Sequence, residues 1–531
     1  MNVAEYIVSV LKKNRITHVF GYQGGNITYM IDAISREDEI SYIQAYHEQG
    51  AAFAANAYAQ VSENFGVSIS SSGPGAINMM NGIANAYYDS IPCLFITGNI
   101  NTASMRESEL IRQNGFQEAD IVSMVKCITK YAETVRDPQE LPAKLDRAIQ
   151  IMQEGRKGPV LLDIPHNIQR MEVKEVQFKE HDLNRNDIVK QSMDDAVNVI
   201  KRSKKMVVLL GNGCRTKNCR EMVIQFLEKT HIPAVCSLCG IDVIPNDHPC
   251  YRGMIGSYGI PYSNKVLNEA DVVLVLGSRM DERQRTVSLN EFLTDAKVIH
   301  VDIDQNELRH VNKNEIAIEC LVEDFLREIL RKEWTEKQFD EWLNETATWM
   351  TEPVPENVWI YGTELKNKLG ALIGCKLSDT IVTVDVGNHQ MAAAQTVLLG
   401  ERSRYLNSAG LGSMGYALPA AIGAYYADSD KRIICIAGDG GIMMNLQELE
   451  LIQREHIPIS IIVVNNKGLG MIESYQKLAF DGRVYGSKWG YEVADFSKIA
   501  DAFGITYIKD GTDSTDEKWK AKQKFIEIEV L

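Results

Sequence analysis

The chain has 531 residues, is 45% hydrophobic and 24% charged, and carries a formal net charge of −15. That length exceeds a single hydrophobic core and predicts two or three domains of ordinary globular composition. The negative balance argues against a nucleic-acid partner, which would need a basic face, and no apolar run approaches the roughly 18–20 residues of a membrane span.

In chain order, MNVAEYIVSVLKKNRITHVFGY reads as a helix leading into a strand rather than a signal peptide. Strand-like runs then alternate with helical patterns: THVFGY, VSISSS, PCLFITG, PVLLDIP, KMVVLLG, DVVLVLGS, AKVIHVDID, TIVTVDVG, RIICIAGDG and PISIIVVNN. The alternation predicts an α/β fold of three doubly wound parallel-sheet domains. Two polar connectors, HNIQRMEVKEVQFKEHDLNRND and EKQFDEWLNETATWMTEPVPENV, divide the chain near 1–180, 190–335 and 355–531. The first and third segments share strands that end in Gly-rich turns opening helices, so they are expected to be related. Ten scattered cysteines fit a reducing compartment and predict a cytoplasmic protein. Cys236 and Cys239 in AVCSLCG lack a second Cys/His pair at metal-site spacing and read as thiols at a strand end.

The densest chemistry lies late in the chain. RIICIA delivers Gly438, Asp439, Gly440 and Gly441 to the C-terminal edge of a buried strand, where ligands of open α/β sheets sit. Glycines let backbone amides approach a phosphate closely. Asp439 beside those phosphates is unfavourable unless a cation intervenes. Twenty-four residues separate Gly440 from Asn465 and hold a helix, a turn and a strand, so one αβ unit returns Asn465-Asn466 to the same edge. A carboxylate, an amide oxygen, a main-chain carbonyl and diphosphate oxygens form a hard oxygen shell suited to Mg²⁺.

Further motifs extend the pattern: HEQG at His47–Gly50 followed by AAFAANAYAQ, SSGPGAINMMNGIANAYYDSIPCLFITG over 71–98, GNHQMAAAQ from Gly387, and SAGLGSMGYALPAAIGA from Ser408. Together they resemble the thiamine diphosphate enzymes, and the chain in this order is similar to their acetolactate synthase branch. The resemblance implies a pyrimidine-binding domain, a middle domain and a diphosphate-binding domain. It implies that Glu48 hydrogen-bonds the cofactor's aminopyrimidine, so that the cofactor's own imino nitrogen takes the proton from its thiazolium C2. A poorly solvated carboxyl serves that relay best. Met414 matches the apolar wedge that holds the cofactor bent. Asn388 and His389 match the pair beside the diphosphate, with Asn in place of Gln. Gly387, Gly438, Gly440 and Gly441 would offer main-chain donors. Gly73, Asn78, Gly412, Asn466, Gly468, Leu469, Gly470 and Met471 fill the remaining cofactor positions, and Asp439, Asn466 and Gly468 the Mg²⁺ positions. Phe116 and Gln117 match a pair lining the substrate channel, and Lys130 a family lysine; plain core or surface roles stay open for these three.

The middle segment carries LLGNGCR, MIGSYG, ADVVLVLGSRMDER and VIHVDIDQNEL, which look like flavin-binding elements of the same branch. Arg156, Arg279 and Asp304 are the positions carried over for FAD, and Asp302 with Asp304 suits ribose hydroxyls. A flavin here would be structural, because thiamine chemistry needs no hydride transfer; an empty middle domain stays open.

The implied activity decarboxylates a 2-keto acid, pyruvate, and joins the two-carbon unit to a second carbonyl, giving acetolactate. Two departures touch the acceptor side. Gln23-Gly24-Gly25-Asn26 replaces Pro-Gly-Gly-Ala, and Tyr475 in MIESYQ stands where a tryptophan is usual. They keep open a nucleotide-linked keto sugar as acceptor, or a plain decarboxylase or oxidase. The absence of a His-His dipeptide, which simple decarboxylases use, favours joining to a second carbonyl. The resemblance also implies a homodimer or dimer of dimers, with Glu48 and the diphosphate motif of each site in different subunits.

Overall fold

The computed structural model describes residues 1–108, 110–174, 190–285, 293–310, 315–335, 338–359, 362–373, 377–510 and 522–530. They form two compact units: Met1–Leu183 with Ile381–Gly387 and Leu406–Leu531, and Asn184–Thr380 with Asn388–Tyr405.

The first sheet contains β1 (His18–Gly21), β2 (Ser41–Gln44), β3 (Gly66–Ser70), β4 (Cys93–Asn99), β5 (Tyr131–Thr134) and β6 (Val160–Pro165), in the order β2-β1-β3-β4-β6-β5. Its ladders are parallel. The central strands β3, β4 and β6 are buried throughout. Helices cover both faces of such sheets, so even the polar side chains Ser68, Thr97 and Asp163 on these strands are buried.

A second sheet contains β7 (Met206–Leu210), β8 (Ala234–Cys236), β9 (Tyr251–Met254), β10 (Val272–Leu276), β11 (Lys297–Asp302) and β12 (Glu315–Glu319). Its order, β12-β11-β10-β7-β8-β9, is the 3-2-1-4-5-6 arrangement of dinucleotide-binding folds read from the other edge. The third holds β13 (Thr380–Val384), β14 (Arg404–Asn407), β15 (Arg432–Gly438), β16 (Ile459–Asn465), β17 (Thr506–Lys509) and β18 (Lys524–Glu529). Its order, β14-β13-β15-β16-β18-β17, repeats that of the first sheet strand for strand. The kinship expected from the Gly-rich turns is therefore present in the topology.

Within the first unit, the helix Glu48–Ser62 is the pivot. EQGAAFAANAYAQVS is buried over Gly50–Ala59 because its alanines let neighbours approach closely. A methyl on Gly423, in the helix Ala417–Ala427, would lie 1.9 Å from the Ala54 carbonyl oxygen, and one on Gly82 would lie 2.2 Å from Ala52 Cβ. Phe53 and Tyr416 meet edge to face at 5.4 Å in the same core.

One sequence expectation needs correcting. The stretch containing EWLNETATWM, read as part of a polar connector, forms the helix Asp340–Trp349 in the second unit. Its two tryptophans are buried in that unit's core, and Trp342 Nε1 donates to the Met206 carbonyl at 3.1 Å. The polar residues lie between those anchors and masked them. Of the earlier connector, residues 175–187 lie outside the described residues.

Candidate active site

In open parallel sheets, ligands gather where the strand order reverses, beyond the C-terminal strand ends. In the first sheet the reversal falls between β1 and β3. The turns there are tied together: Asn26 Nδ2 donates to Ser72 Oγ at 2.6 Å, and the Asn26 carbonyl accepts from Gln169 Nε2 at 2.6 Å.

Glu48 opens the pivot helix, with His47 as N-cap; His47 Nδ1 accepts from the Gln49 amide at 3.1 Å. The Glu48 carboxyl is buried (8% exposed), and its Oε2 accepts from Asn78 Nδ2 at 3.0 Å. A methyl on Gly75 would lie 2.9 Å from Glu48 Oε1, so the glycine makes room for the acid. Gly73 has φ +60°, a conformation that favours glycine. A methyl on it would lie 3.2 Å from Gln117 Cβ, which places Gln117 beside this turn. Phe116 is 86% exposed next to it. Glu118, which sequence reasoning passed over, holds the loop together by accepting from the amides of Arg106 and Asn114.

Lys130 is not brought to this edge. It immediately precedes β5, and in a parallel sheet the start of a strand lies opposite the edge that carries Gly73. Its ammonium donates to the Glu154 carbonyl, and burial pushes its pKa down to about 8. The lysine therefore serves packing at the far edge, and the residue-level resemblance does not carry a site there.

In the third sheet the reversal falls between β13 and β15, and the expected acid-glycine turn stands there. Asp439 is buried, which raises its pKa, while amide bonds oppose that shift. Its carboxylate accepts from the Gly440 amide at 2.7 Å, the Gly468 amide at 3.2 Å and Tyr491 Oη at 3.4 Å. The αβ unit has thus returned the Asn466–Gly468 turn to Asp439, as the spacing required. The Asn466 carbonyl accepts from Lys488 Nζ at 2.8 Å.

A methyl on Gly440 would lie 2.8 Å from Tyr491 Oη, 3.0 Å from Leu469 Cδ2 and 3.4 Å from Met414 Cε. Those side chains surround a space that only glycine leaves open. Gly470 and Met471 open the next helix, Gly470–Ala479. Gly412 has φ +69° and Gly387 φ +146°. Beneath the turn lies Asp385, at the end of β13. It is fully buried, which raises its pKa to about 7, and both its oxygens lie 2.9 Å from the Gly415 amide. Asn445 Nδ2 donates to the Gly415 carbonyl at 2.7 Å, so the turn after Met414 is held from two sides.

The residues fit a cation-bridged diphosphate. A buried carboxylate that accepts from two amides and a phenol, next to amide and carbonyl oxygens, suits a hard divalent ion. The uncovered Gly440 leaves room for phosphate oxygens.

Asn388 and His389 belong to the second unit and open the helix Asn388–Thr396, with His389 buried. In the same unit the sheet order reverses between β7 and β10. Gly213 donates its amide to the Gly277 carbonyl at 2.9 Å there. Arg279 is half-exposed, 3.9 Å from Asp281. The Asp304 amide donates to Asp302 Oδ1 at 2.9 Å, and Asp304 Oδ1 accepts from the Asn306 amide at 2.9 Å. Arg156, in the first unit, donates from Nε to Ser90 Oγ at 2.9 Å. Arg215 of LLGNGCR and Arg404 both pair with the buried Asp242, at 2.6 and 3.1 Å.

These features define a thiamine pyrophosphate enzyme, and the family descriptions match accordingly. The N-terminal TPP binding domain covers residues 1–124, the central domain 193–329 and the C-terminal TPP binding domain 385–528. Within it the chain belongs to the acetolactate synthase large-subunit family. It is 35% identical over 510 residues to acetolactate synthase isozyme 1 large subunit of Escherichia coli (strain K12), covering 94% of this chain and 88% of that protein. It is 34% identical over 517 residues to the isozyme 2 large subunit of the same organism, covering 95% and 90%. The acetolactate synthase large subunit of Lactococcus lactis subsp. lactis (strain IL1403) is 33% identical over 512 residues, covering 95% and 88%.

Proposed function

We propose that this protein is a thiamine diphosphate-dependent carboligase that decarboxylates pyruvate and joins the two-carbon unit to a second carbonyl, giving acetolactate. The observation that carries the reading is the Glu48 carboxyl, buried at the head of an interior helix and held by Asn78. Bound thiamine diphosphate supplies the electron sink that lets a 2-keto acid lose carbon dioxide. Glu48 holds the proton at the aminopyrimidine, and Asn78 fixes its orientation. Asp439, Asn466 and Gly468 hold Mg²⁺. Gly441 presents its amide to the diphosphate, Gly440 leaves it the space, and Met414 supplies the apolar wall beside it. Gln117 and Phe116 border the substrate.

Asn26 kept the keto-sugar alternative open. Its side-chain amide donates to Ser72 Oγ, so it ties two turns together, which favours acetolactate as product. In the second unit, Arg279 and Asp304 hold FAD; the dinucleotide-type strand order supports this, and the flavin is structural. The protein acts as a homodimer or dimer of dimers whose sites draw Glu48 and Asp439 from different subunits. It works in the cytoplasm, a reading supported by the described cysteines, which form no disulfide among themselves.

The test is incubation with pyruvate, thiamine diphosphate and Mg²⁺, with products identified by mass. Acetolactate is expected, and Glu48→Gln should lower kcat by about 10²-fold or more, the scale of general acid–base catalysis. Carbon dioxide without a coupled product, or full activity in Glu48→Gln, overturns the reading.

A further inference from the structure

The short segment that delivers Glu48, Gln44–His47, is held by one helix, Glu448–Arg454, which begins nine residues after Asp439. At one end of it, Arg454 Nη2 donates to the Gln44 carbonyl at 2.9 Å, and its guanidinium lies 5.6 Å from the Tyr46 ring centroid. At the other end, Glu448 is 1% exposed. Its carboxylate accepts the Tyr46 amide at 3.1 Å to Oε1 and 3.3 Å to Oε2. A methyl on Gly50 would lie 2.6 Å from Glu448 Oε1, so the pivot helix carries glycine where that carboxylate sits.

We propose that Glu448 is a positioning residue for Glu48: its carboxylate fixes the Tyr46 amide, two residues ahead of the pivot helix, and thereby sets where the Glu48 carboxyl stands. The inference rests on the proton-handling role of Glu48 proposed above. The physical reasons are three. Amides entering a helix have no intrahelical acceptor. An anion at a helix N-terminus is favoured by the dipole. A charged acceptor gives shorter and stronger bonds than a neutral one. A buried carboxylate is costly unless it is fully bonded, and Glu448 is bonded to the backbone whose end residue is the catalytic acid. A tie that served only stability could use any element of that segment; this one engages the peptide group two residues ahead of Glu48.

The decisive variant is Glu448→Gln, which keeps the shape but turns a donor toward the Tyr46 amide. In the cofactor-free protein, amide hydrogen exchange over residues 44–50 should speed up at least 10-fold while residues 459–465 are unchanged. In the loaded enzyme, kcat and the deuterium exchange of the cofactor's C2 proton should fall together by about 10–100-fold. Cofactor affinity should change by less than about 3-fold, and Glu448→Asp should restore part of the loss. Wild-type amide exchange over 44–50, or wild-type kcat with wild-type C2 exchange, overturns the proposal. So does a loss of thermal stability with kcat preserved. If Glu448→Gln does not fold, Gly50→Ala takes its place, because the added methyl displaces the same oxygen; the same signatures are expected, and their absence overturns the proposal. Glu48→Gln, measured in parallel, separates the two claims. If it retains C2 exchange, the role of Glu48 fails; if it loses exchange while Glu448→Gln does not, only the positioning role fails.

Discussion

Gly440 and Gly441 are neighbours in one turn, yet the structure gives an added methyl opposite consequences at each. At Gly441 it would lie 2.5 Å from Asp385 Oδ2 and 3.0 Å from Asp385 Cγ. That carboxyl is buried and bonded to the amides of Val386 and Gly415, so it cannot swing aside without breaking a bond that orders the Met414 turn. Overpacking costs about 1–3 kcal/mol, and losing a hydrogen bond to a charged group costs about 1.5–3 kcal/mol. Replacing a helical glycine by alanine returns roughly 0.5–1 kcal/mol. Gly441→Ala should therefore lose about 1.5–5.5 kcal/mol without any cofactor present. At Gly440 the methyl meets only the far ends of Tyr491, Leu469 and Met414, which can yield. Gly440→Ala should therefore fold with close to wild-type stability and instead fill the space left for the diphosphate, weakening cofactor binding by about 10-fold or more. Thermal denaturation of both cofactor-free variants, with calorimetric titration of thiamine diphosphate and Mg²⁺, reads the two effects separately. If Gly441→Ala melts like the wild type while Gly440→Ala is destabilised, the assignment of Asp385 as the rigid floor of the turn is wrong. If Gly440→Ala binds the cofactor normally, Gly440 does not face it.

Two further predictions concern buried charge. Asp242 would be raised by burial, but Arg215 and Arg404 outweigh that and hold its carboxyl well below the usual range. Asp242→Ala leaves two buried guanidiniums without their anion and should cost about 3–5 kcal/mol, seen as a lower denaturation midpoint of the second unit; an unchanged midpoint would refute the pairing. Asp163 is raised to about 6, first by burial, against bonds from Asn99, Thr97 and Thr134. Its folded pKa lies above its unfolded one, so its contribution is fully present below pH ~4 and is lost as pH rises through about 6. The stability of the wild type relative to Asp163→Asn should thus decline between pH 4 and 7, by at most roughly 3 kcal/mol. A difference that does not vary with pH, measured by thermal denaturation in matched buffers, would remove Asp163 as the titrating group.

The sequence made the sheet centres legible and left the edges obscure, for a physical reason. Strands such as MVVLL, and RIICIAG beyond its exposed Arg432, are covered on both faces, so the residues there are apolar and the run stands out. Edge strands such as β5, with all four residues half-buried, and β12, with a mixed pattern, carry little signal in so few residues. Their existence follows from pairing to a neighbour and not from their own composition.

The candidate site divides along the same line. Asp439 and the Asn466–Gly468 turn could be found because one αβ unit joins them, and its spacing forces their strand ends together. Glu448 could not, since its partner Tyr46 is 402 residues away and, in sequence, ELELIQR shows only another acid on an amphipathic helix. Asp385 stands in TIVTVDVG in plain view, but its purpose depends on Gly415, 30 residues on, and on the missing side chain of Gly441. What a sequence hides here is not chemistry but support: the residues that would touch a cofactor repeat a recognisable local grammar, while those that hold them still are defined by contacts across the fold. The supporting residues are accordingly where substitution should separate folding, cofactor affinity and turnover.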